Sequence, residues 1–407
     1  MISPLAYFFQ MCRITTIIRS TIKPMQNFTF HNPTKIIFGQ GMIEQIGAEA
    51  TLYGKKALYV YGKGSIKKNG VYNKTVASLK SSGIEWVEFG GVKANPVLSH
   101  VQEGIALARR EKVDMIVAVG GGSVIDEAKG IAAGTVMEGN VWEFYARRYK
   151  LQGALPLLTV LTMSATGTEM NGGTVTTNEA TKEKLGMSSP WLYPKVSILD
   201  PSTLVTVPAD QTAYGAVDAV THLLESYFTQ EDPFTPIQDR YVEGIVKTIT
   251  EIASVQQKNP SDLTARATFM WAATLAWNGL APAGVGQWST PNHLIGHSMS
   301  TLYDTPHGAS LSISLSGWLP WYAEQTGGAD RLIQLGKAVF GVSTAEKTIE
   351  SFRTWFRSIG SPTTLADIGV DDAGLVKIAE NIGHCAPLWS LPEYTAAFCE
   401  AILRRCR

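Results

Sequence analysis

Met115-Ile116-Val117-Ala118-Val119 leads straight into Gly120-Gly121-Gly122-Ser123 and then into Val124-Ile125-Asp126-Glu127-Ala128-Lys129. A run that is apolar throughout suits a strand buried on both faces of a parallel sheet rather than a half-exposed one. The glycines read as a turn, and the residues after them open a helix. Strand, glycine loop and helix start together make a phosphate cradle: glycine lets the backbone approach a pyrophosphate, and free N–H groups at the helix N-terminus attract the anion. The spacing is neither the GxGxxG fingerprint nor a P-loop. A glycine triplet after a strand also serves as a plain tight turn.

The same alternation extends outward on both sides. Candidate strands fall at 35–38, 57–61, 85–89, 115–119, 157–161 and 196–199, with helical patterns such as 97–112 and 123–133 between them. Strand, helix, strand in repetition predicts a layered α/β domain, placed here at 25–206. After Val207-Pro208 the strand signal fades and helical patterns follow at 211–229, 236–256, 263–280 and 291–302 and onward. The expected second domain, 207–407, is all-helical.

Composition narrows the class. The 407 residues carry 35 Lys+Arg against 35 Asp+Glu, a formal charge of zero that argues against a nucleic-acid partner, whose phosphates call for surplus cations. Hydrophobic residues make up 45% and charged residues 17%, below the roughly 25% of an average soluble domain, so the interior is large and a subunit interface has room. Four cysteines without a CxxC pair predict neither a disulfide framework nor a structural zinc site, and a reducing, cytoplasmic setting is expected. No stretch reaches the roughly 18 apolar residues of a membrane helix, so no membrane partner is expected. Residues 1–24 differ from the rest: Arg13, Arg19 and Lys23 occur with no acid before Pro24 and Met25. Such a basic leader resembles a mitochondrial transit peptide. An upstream start codon, with the functional chain beginning at Met25, is the favoured reading, because the apolar positions of the leader form no good helical stripe.

Four of the seven histidines gather in the helical half: His222, His293, His297 and His307. Asp218 and His222 stand four apart, so on a helix they share a face, and a buried Asp–His hydrogen bond is the plain alternative to two metal ligands. His293 and His297 are likewise four apart in a helix that Pro291 opens, and His307 follows the stop at Pro306. An Asp with three His is a borderline-hard donor set suited to Zn²⁺ or Fe²⁺. Spacing alone does not separate His297 from the ligands. In the α/β half, the acid-free loop Gly62-Lys63-Gly64-Ser65-Ile66-Lys67-Lys68-Asn69-Gly70 follows a strand. An acid at such a strand end accepts a ribose 2′-OH, whereas cations and hydroxyls accommodate a 2′-phosphate, so NADP(H) is favoured over NAD(H). A solvated lysine turn would look the same.

Taken together these residues resemble the iron-dependent (group III) alcohol dehydrogenase family, and within it the butanol dehydrogenase and NADPH-dependent aldehyde reductase branch. The likeness rests on Asn32-Pro33-Thr34-Lys35-Ile36-Ile37-Phe38-Gly39, on Gly120-Gly121-Gly122-Ser123 with Asp126 and Lys129, and on Ser164-Ala165-Thr166-Gly167-Thr168-Glu169. It continues through Leu199-Asp200-Pro201 and the Asp218, His222, His293, His297, His307 constellation. The resemblance implies a Rossmann-like first domain, a helical metal domain and an active site in the cleft between them. It implies Asp218, His222, His293 and His307 as metal ligands and His297 as a proton relay. It also implies cofactor contacts at Lys63, Gly64, Ser65 and Lys68 around the adenosine phosphate, at Asn95, and at Gly121, Gly122, Ser123 and Asp126 around the pyrophosphate and ribose. Thr162, Thr166, Asn171, Gly173 and Lys184 match positions that close over the rest of the dinucleotide, and a homodimer is expected.

Two departures stand out: the turn Lys93-Ala94-Asn95-Pro96 lacks the family's usual acid, and the leader has no family counterpart. The expected reaction interconverts aldehydes and primary alcohols. Competing readings are a polyol (glycerol or 1,2-propanediol) dehydrogenase using NAD(H), a dehydroquinate synthase-like lyase, and a non-catalytic metal- or nucleotide-binding protein. The lyase is disfavoured because few Arg or Lys flank the proposed ligands. Trp271, Trp277 and Trp288 are candidates for lining an apolar substrate pocket.

Overall fold

The computed structural model describes residues 26–232, 234–325 and 327–407, so the predicted leader at 1–24 lies outside the described residues. Six strands form one parallel sheet: β1 (Lys35–Phe38), β2 (Lys56–Tyr61), β3 (Glu85–Phe89), β4 (Met115–Gly121), β5 (Leu157–Met163) and β8 (Val196–Leu199), in the spatial order β1-β8-β5-β4-β2-β3. The central strand β4 lies between β2 and β5, and its residues Met115 to Gly120 are all buried. Period-two alternation explains why the sheet is covered on both sides. Leu58, Val60, Ile116 and Ala118 face one apolar cluster, while Ala57, Tyr59, Met115, Val117 and Val119 face another.

Each face has its own helices. Ile46, Val71 and Leu79, from α1 (Ile46–Ala50) and α3 (Val71–Ser81), fill one side, with α2 (Ser65–Lys68) as a single turn between them. On the other side lie α4 (Leu98–Glu111) and α5 (Gly122–Val136), followed by the short α6 (Trp142–Tyr145). Helix α5 begins at the cradle glycine Gly122, and its apolar residues Ile125, Ala128, Ile131 and Ala132 repeat at helical spacing against the sheet.

A two-stranded antiparallel hairpin, β6 (Gly173–Asn178) with β7 (Glu183–Ser188), interrupts the α/β pattern and was not predicted. Its strands carry Thr, Gly, Lys and Asn rather than an apolar run, so periodicity gave no strand signal there.

Past Leu199 no strand occurs among the described residues. The helices are α7 (Ala209–Thr229), α8 (Pro236–Lys258), α9 (Leu263–Ala276), α10 (Pro291–Tyr303), α11 (His307–Gln325), α12 (Ala329–Val339), α13 (Ala345–Ser358), α14 (Asp372–Cys385) and α15 (Ala396–Leu403). Helix α7 is buried along nearly its whole length because α8, α9 and α11 surround it. The pattern at 263–280 ends early, at Ala276, because Trp277 leaves helical geometry and Gly279 takes φ +94°, a left-handed conformation glycine tolerates. Helix α10 starts with Pro291 at its first turn and stops at Asp304, whose φ is +50°. No helix of the described residues is long and apolar enough to cross a membrane.

Candidate active site

A cavity of about 1370 Å³ opens where the C-terminal ends of β2, β4 and β5 face α7, α10 and α11. Strand ends of an open parallel sheet are where loops diverge and leave a crevice. The cavity is lined on one wall by Gly121, Gly122, Ser123 and Thr166 and on the other by Asp218, His222, His293 and His307.

The helical wall is made of side chains. Helix α7 puts Asp218 and His222 on one face, with His222 Nδ1 3.4 Å from Asp218 Oδ1. Helix α10 supplies His293, and the first residue of α11 supplies His307; each has Nε2 3.7 Å from the same Oδ1. Ligand atoms of Asp218, His222 and His293 all lie within 4.8 Å of one another. Asp218, His222 and His293 are buried and His307 half-buried, yet Asp218 Oδ1, His222 Nδ1, His293 Nε2 and His307 Nδ1 have no hydrogen-bond partner among the described residues. Each orphan costs about 1–3 kcal/mol, so the three clustered on Asp218, His222 and His293 would be expensive unless a further group satisfies them. A divalent cation fits that requirement, and the donor set suits Fe²⁺ or Zn²⁺.

Protonation agrees with this for two of the three imidazoles. Burial holds the His222 imidazole down at about 4 and keeps His307 well below its ordinary range, so both present neutral nitrogens at pH 7. His293 differs: burial pulls it down, but Asp218 and Glu225 more than offset that and carry it to about 9. Glu225, one turn along α7 from His222, accepts the backbone N–H of His293 at 2.9 Å and meets its Nδ1 at 2.9 Å. Bonding Nδ1 to a carboxylate turns Nε2 towards Asp218, as metal-bound imidazoles are commonly oriented.

His297 stands apart from these donors. Its Nδ1 faces the Lys184 backbone carbonyl at 3.4 Å, its ring is 5.0 Å from that of His307, and the Trp389 indole packs edge-on at 4.7 Å. Burial keeps this imidazole neutral as well. Lys184, on β7, is buried and drawn down to about 8 by loss of solvent. Its Nζ donates to Asn95 Oδ1 at 2.9 Å, and Asn95 Nδ2 donates to Asp304 Oδ1 at 3.1 Å, a chain that crosses the cleft.

The opposite wall is largely backbone. A Cβ on Gly122 would sit 2.5 Å from Thr166 Oγ1, and one on Gly121 would meet Met163 at 3.1 Å, so the close approach of loop and strand requires glycine there. Asp126 accepts from Thr168 Oγ1 at 2.6 Å and from the Val175 N–H at 3.1 Å. Lys129, wholly buried, donates to Thr168 O at 2.7 Å, Asn171 O at 2.8 Å and Gly173 O at 2.7 Å. One ammonium thereby pins the loop from Thr168 to Gly173 against α5, and burial pushes the Asp126 carboxyl up and the Lys129 ammonium down. Ser123 Oγ donates to the Ala94 carbonyl.

Among the predicted cofactor residues, Lys63, Ser65, Asn95, Gly121, Gly122, Ser123, Asp126, Thr166, Asn171, Gly173 and Lys184 line this cavity. Gly64, Lys68 and Thr162 do not. Gly64 caps α2 at φ +113°, Lys68 ends that turn, and Thr162 lies within β5. Trp277 and Trp288 line the cavity, with the Trp277 ring 4.6 Å from His222, but Trp271 packs instead on Phe38 outside it. The sequence reading missed Glu225, which three-residue spacing from His222 on one helix could have flagged. It also missed Trp389 and the cavity-lining cations Arg147, Arg148 and Lys150.

Comparison with known proteins agrees with this architecture. The family model described as "Iron-containing alcohol dehydrogenase" matches residues 33–201, and "Fe-containing alcohol dehydrogenase family, C-terminal" matches residues 212–390. The chain is 41% identical over 365 residues to a probable NADH-dependent butanol dehydrogenase of Bacillus subtilis (strain 168), covering 88% of this chain and 93% of that one. It is 35% identical over 368 residues to an NADPH-dependent aldehyde reductase of Escherichia coli (strain K12), again covering 88% and 93%. A crystal structure of NADH-dependent butanol dehydrogenase A from Thermotoga maritima superposes with a TM-score of 0.89 at 44% identity, covering 94% of this chain and 99% of that one. This chain belongs to the iron-containing alcohol dehydrogenase family.

Proposed function

We propose that this oxidoreductase interconverts aldehydes and primary alcohols with NADP(H) preferred over NAD(H), using one divalent ion, Fe²⁺ or Zn²⁺, held by Asp218, His222, His293 and His307. The observation that carries the reading is the convergence of the buried, unpartnered donors of Asp218, His222 and His293, with His307 Nε2 3.7 Å from the same carboxylate oxygen, in the cavity that holds the glycine-lined cradle. In the reducing direction the balance is R–CHO + NADPH + H⁺ → R–CH₂OH + NADP⁺. When bound, the ion supplies Lewis acidity at the carbonyl oxygen and the dinucleotide supplies the hydride.

The chain's own residues position and exclude. Gly121, Gly122 and Ser123 bring the start of α5 to the pyrophosphate, where its N–H groups and helix dipole favour the anion. Lys129 and Asp126 hold the loop that carries Asn171 and Gly173. His297 is a neutral ring with one N–H and one acceptor nitrogen, which suits it to pass a proton to the product oxygen. Trp389 and Trp277 shield it and His222 from bulk water.

Support for NADP(H) comes from Lys63 and Ser65 at the cavity and from the lack of any acid in residues 62–70. Relatives named for either nucleotide occur, so the preference is a property of this loop. A polyol substrate is less favoured, because tryptophans rather than hydroxyl-binding groups stand near the donors. The two-domain division near residue 207 and a homodimer belong to the same proposal; sedimentation equilibrium tests the latter.

The functional test is nucleotide oxidation with butanal on protein loaded with Fe²⁺ or Zn²⁺. Turnover with NADPH is expected to exceed that with NADH, and Lys63→Ala is expected to narrow the ratio by about tenfold, since a charge-assisted contact is worth about 1.5–3 kcal/mol. No butanal-dependent oxidation with either nucleotide would overturn the reading. A preference for NADH would overturn its cofactor part alone.

A further inference from the structure

One stretch of the cavity wall is assigned no role by the reaction above. Arg147, Arg148 and Lys150 all line it, beside Phe144, Met187 and Trp389. Arg148 is already neutralised: its Nε lies 2.7 Å from Glu143 Oε2 and its Nη2 2.9 Å from Oε1. Arg147 and Lys150 form no ion pair among the described residues.

This loop is held in place rather than draped over the opening. The Glu143 carbonyl accepts the backbone N–H groups of Arg148 at 2.8 Å and Tyr149 at 3.0 Å. Arg147 adopts φ +62°, a left-handed conformation that a non-glycine residue keeps only when its surroundings impose it. Its Nη1 donates to Ser390 Oγ at 2.8 Å, and Ser390 adjoins Trp389, the indole that packs on His297. A fixed cation therefore stands just beyond the wall of the His297 pocket. The cradle at Gly121 to Ser123 and Lys63 belongs to the loops after β4 and β2, a different part of the cavity wall.

The charges of the lining are unevenly spread. Its acids are Asp126, Asp218 and Asp304, engaged with Thr168, the histidine cluster and Asn95 respectively. Besides the buried Lys184, four cations of the lining form no ion pair among the described residues: Lys63 and Lys93 belong to the loops after β2 and β3, whereas Arg147 and Lys150 share their part of the wall with Trp389, Met187 and Phe144. Such an arrangement matches a molecule with a carbonyl at one end, an apolar middle and an anion at the other. We propose that Arg147 and Lys150 form an anion subsite selecting aldehydes that carry a carboxylate, sulfonate or phosphate at the end remote from the carbonyl; this rests on aldehyde reduction being the reaction of the site. Arginine offers a planar fork for such groups, and both cations would draw the anion in from solution.

The test compares kcat/KM for succinic semialdehyde and butanal, four-carbon aldehydes differing in a terminal carboxylate, on the metal-loaded protein. Expected is a preference for succinic semialdehyde of about tenfold at low ionic strength that shrinks as salt screens the pairing. The double variant Arg147→Gln/Lys150→Gln is expected to lower that ratio about tenfold, whereas Lys247→Gln, an exposed cation on α8, is expected to keep it. A wild-type protein that reduces butanal as well as the anionic aldehyde overturns the subsite and spares the proposed function. One that reduces neither overturns both. A double variant that keeps the ratio but raises the KM of the nucleotide assigns these cations to nucleotide phosphates and overturns the proposal.

Discussion

The two walls of the cleft are built from different materials. The helical wall is made of side chains: Asp218 and His222 share a face of α7 through four-residue spacing, and the packing of α10 and α11 against α7 brings His293 and His307 to the same carboxylate. The α/β wall is made of backbone, where Gly121 and Gly122 let a strand end and a helix start close on one another. A side-chain site fails when one donor is removed. A backbone site fails when something is added.

That contrast predicts unequal damage. His222→Ala is expected to lose bound metal and to lower kcat at least about a thousandfold, since the Lewis acid supplies several kcal/mol of the barrier reduction and each 1.36 kcal/mol is tenfold. Metal analysis alongside turnover checks it, and a metal-free variant at full rate would break the comparison at its strongest point. Glu225→Gln keeps the shape but weakens the hydrogen bond that orients His293. Metal affinity is expected to fall about 10–100-fold, read by competition with a chelator. Gly122→Ala should do the reverse: full metal content, with nucleotide KM raised about tenfold by a Cβ that meets Thr166. Loss of metal in that variant would show that the walls are not independent.

How much was legible follows the same division. The six parallel strands could be read from their apolar, β-branched runs, β4 most plainly, because burial on both faces leaves no polar positions. The candidate donor set was visible because histidine is rare in this chain and Asp218/His222 and His293/His297 repeat at a helical turn. Glu225 offered only its three-residue spacing from His222, and a single glutamate on a helix looks like a solvated one until burial is known. The β6–β7 hairpin was missed because its strands are polar, and it carries Lys184 to His297 through a backbone carbonyl, which has no sequence signature. Trp389 reaches the site from the far end of the chain, a contact only the fold reveals.

The smallest expected effect lies in the α/β half, which buries charges of its own. Glu127 on α5 is fully buried, 2.6 Å from His100 Nδ1, and burial pushes its carboxyl up to about 7. In the unfolded chain that carboxyl releases its proton near 4.5. Between these values the native state binds more protons than the unfolded one, so stability falls as pH rises through the window. Glu127→Gln is expected to flatten the decline of Tm between pH 5 and 8 by a few degrees, as thermal melts would show. An unchanged slope would place the proton elsewhere.

Anomalous scattering from crystals grown with Fe²⁺ or Zn²⁺ measures the central claim directly. A single peak is expected within about 2.0–2.3 Å of one Asp218 oxygen and one nitrogen each of His222, His293 and His307, with His297 further away. A peak bound elsewhere, or none despite retained aldehyde reduction, would contradict the account.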